Sequence, residues 1–304
     1  MSGNVSSTVP LDVPPDQRKA FQERYDRMTG GKGRLMLFAG DQKMEHLNDD
    51  FHGEGIDPED GDPEHLFRIA SKGRIGAFAT QFGLIARYAA DHPDVPCVVK
   101  LNSKTHLVKT LQAEPLSRQW LAVDEVAALR DENDLDIVGV GYTVYLGSEH
   151  EAIMLTEAAQ IVHRAHRLGM TAILWMYPRG RAVPNEKDPH LVAGAAGAGA
   201  CLGADFVKLN CPDGSDISRF KEVVRAAGRS KVLCSGGSRM DERSFLERLH
   251  RQMEAGAGGS ATGRNIHQKP LEQAARFCDA IYAVTVDRAP VHEAMRLYWG
   301  DPGA

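Results

Sequence analysis

Lys208 lies near the end of a short apolar run, Ala204-Asp205-Phe206-Val207-Lys208-Leu209-Asn210, and two glycine-rich, strand-like segments follow it: Val232-Leu233-Cys234-Ser235-Gly236-Gly237 and Ser260-Ala261-Thr262-Gly263-Arg264-Asn265. A lysine on a strand end, followed by two backbone loops able to hold a phosphate, is the layout needed to form a Schiff base with a phosphorylated ketone. Strand alternation points Ala204, Phe206 and Lys208 one way, and Val207 and Leu209 the other. An ammonium among apolar neighbours loses hydration. That disfavours its charged form and can lower its pKa from about 10.4 toward roughly 7–8, giving the neutral amine that attacks carbonyls. An isolated strand lysine more often packs its stem and sends its head to solvent or to a carboxylate; the two glycine loops behind Lys208 favour the chemical reading.

Composition sets the frame. The chain has 304 residues, 42% hydrophobic and 25% charged, which suits an ordinary globular protein with a large core and is compatible with one α/β barrel domain. A formal charge of −5, a pI near 6.2 and the lack of a basic block argue against a nucleic-acid or anionic-membrane surface, leaving a small molecule as the expected partner. The five cysteines (Cys97, Cys201, Cys211, Cys234, Cys278) are scattered and form no CxxC pair, so they read as buried thiols in a reducing compartment. Met1 to Pro15 has no apolar signal core, and no stretch approaches the length of a membrane span; a cytoplasmic location is expected.

Apolar runs alternate with helix-period segments. Strands are predicted at Arg34–Gly40, Ile75–Thr80, Pro96–Leu101, Ile137–Tyr142, Thr171–Tyr177, Ala204–Leu209, Lys231–Ser235 and Gly259–Gly263, and helices at Val123–Glu132, His150–Leu168, His190–Leu202, Ser218–Ala227 and Asp241–Ala255. Eight such units in this length favour a (β/α)8 TIM barrel over an open doubly wound sheet. The expected organisation is a single barrel domain at residues 34–304 behind an N-terminal helical extension at 1–33, in which Pro14-Pro15-Asp16 opens a polar helix through Met28.

In such a barrel chemistry belongs at the C-terminal strand ends. The first strand ends in Gly40-Asp41-Gln42-Lys43, the third in Lys100-Leu101-Asn102, the fourth in Gly141-Tyr142, and the fifth in Trp175-Met176-Tyr177-Pro178-Arg179-Gly180. Lys208 ends the sixth, and the glycine loops end the seventh and eighth. Glycines there let backbone N–H groups approach phosphate oxygens, and Arg264 adds a charged fork. An iminium at Lys208 would make a ketose carbonyl a better electron sink, so cleavage of the adjacent carbon–carbon bond needs only a base for the β-hydroxyl and a donor for the enamine, roles open to Tyr177 and Asp41. Taken singly, Tyr177 reads as a packed tyrosine, Asp41 as a turn or helix-capping carboxylate, and Trp175 as core.

These residues resemble the DhnA-type (archaeal-type) class I fructose-bisphosphate aldolases and their Schiff-base relatives over roughly residues 34–285. The shared motifs are Gly40-Asp41-Gln42 with Glu45-His46, Tyr177-Pro178-Arg179-Gly180, Ala204-Asp205-Phe206-Val207-Lys208, Ser235-Gly236-Gly237 and Gly263-Arg264-Asn265-Ile266-His267-Gln268. The resemblance implies a barrel with Lys208 as the Schiff-base lysine, Tyr177 as the acid/base for the substrate hydroxyl, Asp41 as its helper and Trp175 beside the reacting carbons. Ser235, Gly236, Gly237, Gly263 and Arg264 would hold the phosphate next to the imine. It further implies reversible cleavage of fructose 1,6-bisphosphate in glycolysis and gluconeogenesis, no cofactor, and a homo-oligomer.

The chain departs from the family pattern in two places. Lys43 and Leu47 stand where the turn after the first-strand aspartate carries glycines, and an acidic stretch from Asp49 through Glu64 is long for a barrel loop. The stretch is expected to be a solvated surface loop, with an active-site lid or subunit contact as alternatives. Three competing functions remain open. A metal-dependent aldolase finds little support: His163 and His166 lie three apart on a helix whose Arg164 and Arg167 suggest a solvated face, with no third ligand evident. A related transaldolase-type enzyme, similar to 2-amino-3,7-dideoxy-D-threo-hept-6-ulosonate synthase, would use the same lysine on another phosphorylated sugar. A non-catalytic phosphosugar-binding protein would have no need of Lys208, Tyr177 and Asp41 together.

Overall fold

A computed structural model describes residues 9–108, 111–211 and 217–300. Eight parallel strands, β1 (Leu35–Ala39), β2 (Ala77–Gln81), β3 (Cys97–Lys100), β4 (Ile137–Leu146), β5 (Thr171–Pro178), β6 (Phe206–Leu209), β7 (Lys231–Ser235) and β8 (Gly259–Thr262), close into a barrel in sequential order, with β8 pairing back onto β1. Helices cover its outside, among them Pro63–Lys72, Glu151–Arg167, Pro189–Cys201 and Glu242–Glu254. Their starts follow local chemistry. The carboxylates of Asp62, Asp188 and Asp241 accept the orphan N–H groups of Glu64, His190 and Ser244, and proline occupies the first helical position after Asp62 and Asp188.

Side-chain alternation divides the apolar residues into two layers. Met36, Phe38, Val207 and Leu209 pack outward against the helices, whereas Leu35, Leu37, Val98, Ile173, Phe206 and Leu233 fill the lumen. Phe206 and Lys208 thus share the inner face as expected. Ala204, before the strand begins, joins the outer layer instead. β4 is longer than predicted and runs ten residues to Leu146, so Tyr142 does not end it. Tyr142 faces outward and donates its hydroxyl to Glu157 at 2.6 Å, and Tyr145 takes the place facing the barrel mouth.

The N-terminal helix, Arg18–Thr29, is less polar in function than its sequence suggests: Phe21, Tyr25 and Met28 are buried and share the lumen's core, and the Tyr25 ring stacks 5.6 Å from Phe206. The helix therefore plugs the end of the barrel opposite the site. His166 belongs to the same seal, in contrast to the solvated face expected for it. It is fully buried, with Nδ1 2.8 Å from Asp12 and Nε2 3.2 Å from Asp205, whose carboxylate also accepts the Ala172 N–H. The arginines beside it do reach solvent; His166 lies on the buried face with Val162, four residues before it.

Near the mouth, Trp175 is fully buried and its indole lies against Gly141. A Cβ at position 141 would come within 2.5 Å of the indole and 3.3 Å of the Lys100 stem, so the absence of a side chain is what admits both groups.

Two stability measurements test this packing. Burial alone would lower the His166 pKa, but the hydrogen bonds and charges of Asp205 and Asp12 outweigh it and raise it from 6.5 to about 9. The raised value contributes stability that is complete below the unfolded pKa and lost as pH climbs through about 9, corresponding to about 3 kcal/mol. Between pH 6 and pH 10 the wild type should accordingly lose about 3 kcal/mol more unfolding free energy than His166→Gln. Parallel urea profiles would contradict the ion-paired assignment. Gly141→Ala should cost about 1–3 kcal/mol, the usual penalty of overpacking a filled core, and an unchanged denaturation midpoint would show that the indole is not pinned there.

Candidate active site

The barrel mouth holds a cavity of about 190 Å3 whose wall includes Lys208, Tyr177, Ser235, Gly236, Gly237, Gly263 and Arg264. Seven of the nine residues singled out from sequence thus meet in one space. The other two, Asp41 and Trp175, are fully buried beneath it.

Lys208 is inward on β6, 5% exposed, with its ammonium 5.0 Å from the Trp175 ring centroid. Strand register sets this contact, since Trp175 on β5 pairs directly with Lys208. A second lysine, noted in sequence at the third strand end but given no role, approaches the same indole. Lys100 on β3 is 1% exposed with its nitrogen 4.9 Å from the ring centroid. It donates to the Asn102 carbonyl at 2.8 Å and the Thr143 hydroxyl at 2.7 Å, with Glu45 at 3.9 Å. Burial pushes the Lys100 pKa down, opposed by Glu45 and Asp41, and Lys208 adds to the depression. The signal was present: alternation from Val98 places Lys100 inward at a strand end.

Asp41 does not cap the helix it precedes, Gln42–Glu45. Neither carboxylate oxygen has a hydrogen-bond partner among the described residues, although both are buried. A structural capping role is thereby set aside, and an unpaired buried carboxylate at a strand end is the kind of costly arrangement that functional sites retain. Tyr177 sits half-buried on the cavity wall opposite Tyr145 in the β4–β5 register. Its phenol is held well above the ordinary range by burial first, then by the negative fields of Glu45 and Asp41, so it rests protonated. Arg179, from the motif after β5, forms a two-pronged pair with Glu186 at 2.6 and 2.7 Å and also lines the cavity.

On the other wall, the Ser235 hydroxyl donates to Asn210 at 3.0 Å. The Gly236 amide is engaged with the Ala261 carbonyl at 2.9 Å, so in this state it is not directed at a ligand; Gly237 follows with φ +70°, where glycine is at ease. Gly263 is required by close approach: a Cβ would lie 2.1 Å from the Gln42 side chain and 2.5 Å from the Ala39 carbonyl. It opens the short helix Arg264–His267, and the Arg264 amide donates to Gln42 at 3.0 Å.

Most of the acidic stretch is exposed, as expected of a surface loop, but three of its residues, Asp50, Phe51 and Asp60, turn inward. Phe51 and Asp60 are fully buried; Phe51 stacks on His267 with ring centroids 4.3 Å apart, and Asp60 meets His267 Nδ1 at 2.7 Å. Burial raises Asp60 to about 8 and lowers His267 to about 3, each toward its neutral form. The two departures from the glycine pattern belong to the same fold-over. Lys43 donates to the carbonyls of Asp60 at 3.1 Å and Gly61 at 2.9 Å, and lies 4.2 Å from the Phe51 ring centroid. Leu47 keeps a glycine-like backbone, φ 47° and ψ −136°, at some cost in strain.

No group of three or more His, Cys, Asp or Glu side chains among the described residues is arranged to hold a metal ion. A larger groove of about 690 Å3, lined by Trp120, Ile153 and Glu157, lies on the outer wall away from Lys208.

Comparison with known proteins places this site in a family. The description "DeoC/LacD family aldolase" matches residues 35–269. The chain is 55% identical over 295 residues to the Methanocaldococcus jannaschii protein named fructose-bisphosphate aldolase/6-deoxy-5-ketofructose 1-phosphate synthase, covering 96% of this chain and 94% of that one. A fructose-bisphosphate aldolase structure from Slackia heliotrinireducens superposes with a TM-score of 0.94 at 51% identity, over 97% of this chain and 95% of the other. A structure described as a Schiff base forming fructose-1,6-bisphosphate aldolase gives 0.75 at 33% identity, over 87% and 99%. With a match across most of its length and relatives aligned nearly end to end, the chain belongs to the DeoC/LacD family of aldolases.

Proposed function

We propose that the chain is a class I aldolase that reversibly cleaves fructose 1,6-bisphosphate to dihydroxyacetone phosphate and glyceraldehyde 3-phosphate through an imine on Lys208. The observation that carries this reading is the placement of a nearly buried lysine on the floor of a cavity whose walls are Tyr177 on one side and the Ser235 and Arg264 loops on the other. The Lys208 amine adds to the ketose carbonyl and water leaves, giving an iminium. Loss of the β-hydroxyl proton then drives carbon–carbon cleavage, with the electron pair moving into the iminium to leave an enamine. Tyr177 is the group assigned to that proton. Because its phenol rests protonated, taking up a proton requires passing one on, and the unpaired Asp41 carboxylate is assigned as its relay. Trp175 shapes the floor between the two lysines, and Lys100 supplies a second amino group there.

A bisphosphate is supported by two guanidinium groups on the cavity wall: Arg264 at the glycine loops, and Arg179 after β5. The double name of the Methanocaldococcus jannaschii relative favours a second reading, in which the same enamine adds to a different aldehyde. Reversible cleavage would serve glycolysis and gluconeogenesis. A cytoplasmic setting fits this role, and no helix among the described residues is long and apolar enough to cross a membrane. Exposed Leu107, Leu111, Trp120 and Ile153 support a homo-oligomer.

Borohydride added with dihydroxyacetone phosphate should leave a reduced covalent adduct on Lys208, detected by intact mass and peptide mapping, because only an iminium is trapped in this way. An absent adduct, with activity lost to a chelator instead, would transfer the assignment to a metal mechanism. Tyr177→Phe should still form the imine while carbon–carbon cleavage slows by about 10²–10⁴-fold. Turnover within threefold of wild type would make the tyrosine structural.

A further inference from the structure

The acidic stretch reaches the cavity at one point. Asp50, 8% exposed, places Oδ1 3.4 Å from Arg264 Nη1 and Oδ2 3.6 Å from His46 Nδ1. Arg264 and His46 both line the cavity. Asp50 is itself held from the phosphate-loop side, because its carbonyl accepts the Gln268 side-chain amide at 2.8 Å and the Asp57 amide returns to the Gln268 carbonyl at 3.2 Å. The stacked Phe51 and His267 and the Asp60–His267 bond fix the same helix.

The guanidinium is thereby engaged at one end only. Arg264 Nη1 faces Asp50, whereas the buried Nε has no hydrogen-bond partner among the described residues. An arginine is a planar fork, so anchoring one nitrogen orients the remaining edge, and an oriented edge can meet two phosphate oxygens in parallel. A free arginine at the same place would have to surrender rotamer freedom on binding.

We infer that Asp50 is a positioning residue for the phosphate-binding arginine: with Nε buried, it anchors Arg264 Nη1 so that the remaining Nη donors, the exposed end of the side chain, are presented to the phosphate of the substrate. This rests on the aldolase reading only for the identity of that phosphate. The acidic stretch is then a buttress for substrate specificity, and Lys43, tied to the carbonyls of Asp60 and Gly61, is the clasp that closes it.

The test is a double-mutant cycle between Asp50→Ala and Arg264→Ala, with Asp50→Asn as the conservative variant. The half-saturating concentration for borohydride trapping is measured with dihydroxyacetone phosphate and with dihydroxyacetone. Asp50→Ala should raise it about 3–10-fold more for the phosphorylated ketone, Asp50→Asn should restore part of the loss, and the effect should vanish once Arg264 is absent. Equal losses for both ketones, tighter binding of the phosphorylated one, or an effect that persists without Arg264 would each overturn the inference. Calorimetry with inorganic phosphate runs the same cycle without catalysis. If wild-type protein traps neither ketone, the aldolase reading falls, and the inference stands or falls on whether phosphate binding shows the coupling; phosphate binding that is absent from wild type, or present and uncoupled, overturns it.

Discussion

The site depends on two lysines sharing one indole. Lys100 and Lys208 approach Trp175 to 4.9 and 5.0 Å from strands on either side of it, in a region where their ammonium groups have little water. Desolvation disfavours the Lys100 charge, and the neighbouring Lys208 adds to the cost. The protein meets that cost unevenly. Lys100 has a backbone carbonyl, a threonine hydroxyl and a distant carboxylate, while Lys208 stands at the edge of the cavity. One lysine is therefore tied down by its partners and the other is left open to the cavity. Gly141 makes the arrangement sterically possible, and Asp41 and Glu45 supply the compensating negative field.

Much of this was legible in the sequence because the period of hydrophobicity and the glycine loops report local geometry directly. All eight strands lie where alternation places them, and Lys208, Ser235 and Arg264 converge because barrel strand ends must. What was not legible came from contacts across the sequence. Tyr145 was missed because β4 outruns its apolar run, and Tyr142 was read into the mouth although its hydroxyl is bound on the outside by Glu157. His166 looked solvated beside two arginines, and only its distant partners Asp12 and Asp205 explain its burial.

The acidic stretch illustrates the same limit. Its charge suggests a solvated loop, yet two of its carboxylates, Asp50 and Asp60, turn inward against Arg264 and His267. Composition reports how many charges a segment has; it does not report which of them are neutralised. The lysine and leucine that replace turn glycines make sense only with the fold in view, as Lys43 spans to the far end of the stretch and Leu47 tolerates the backbone a glycine would have chosen.

The packed interior of the barrel has a kinetic consequence. With Leu37, Val98, Ile173, Phe206 and Leu233 filling the lumen, the chamber above is a vessel with one opening. Whatever is bonded to Lys208 on the floor sits behind whatever lies nearer the rim. After cleavage, the fragment that carries no bond to the lysine must leave before the enamine fragment can be hydrolysed and follow it, and in the reverse direction the ketone must enter first. An ordered sequence of arrival and departure is thus imposed by the filled lumen beneath the chemistry, with no moving part required.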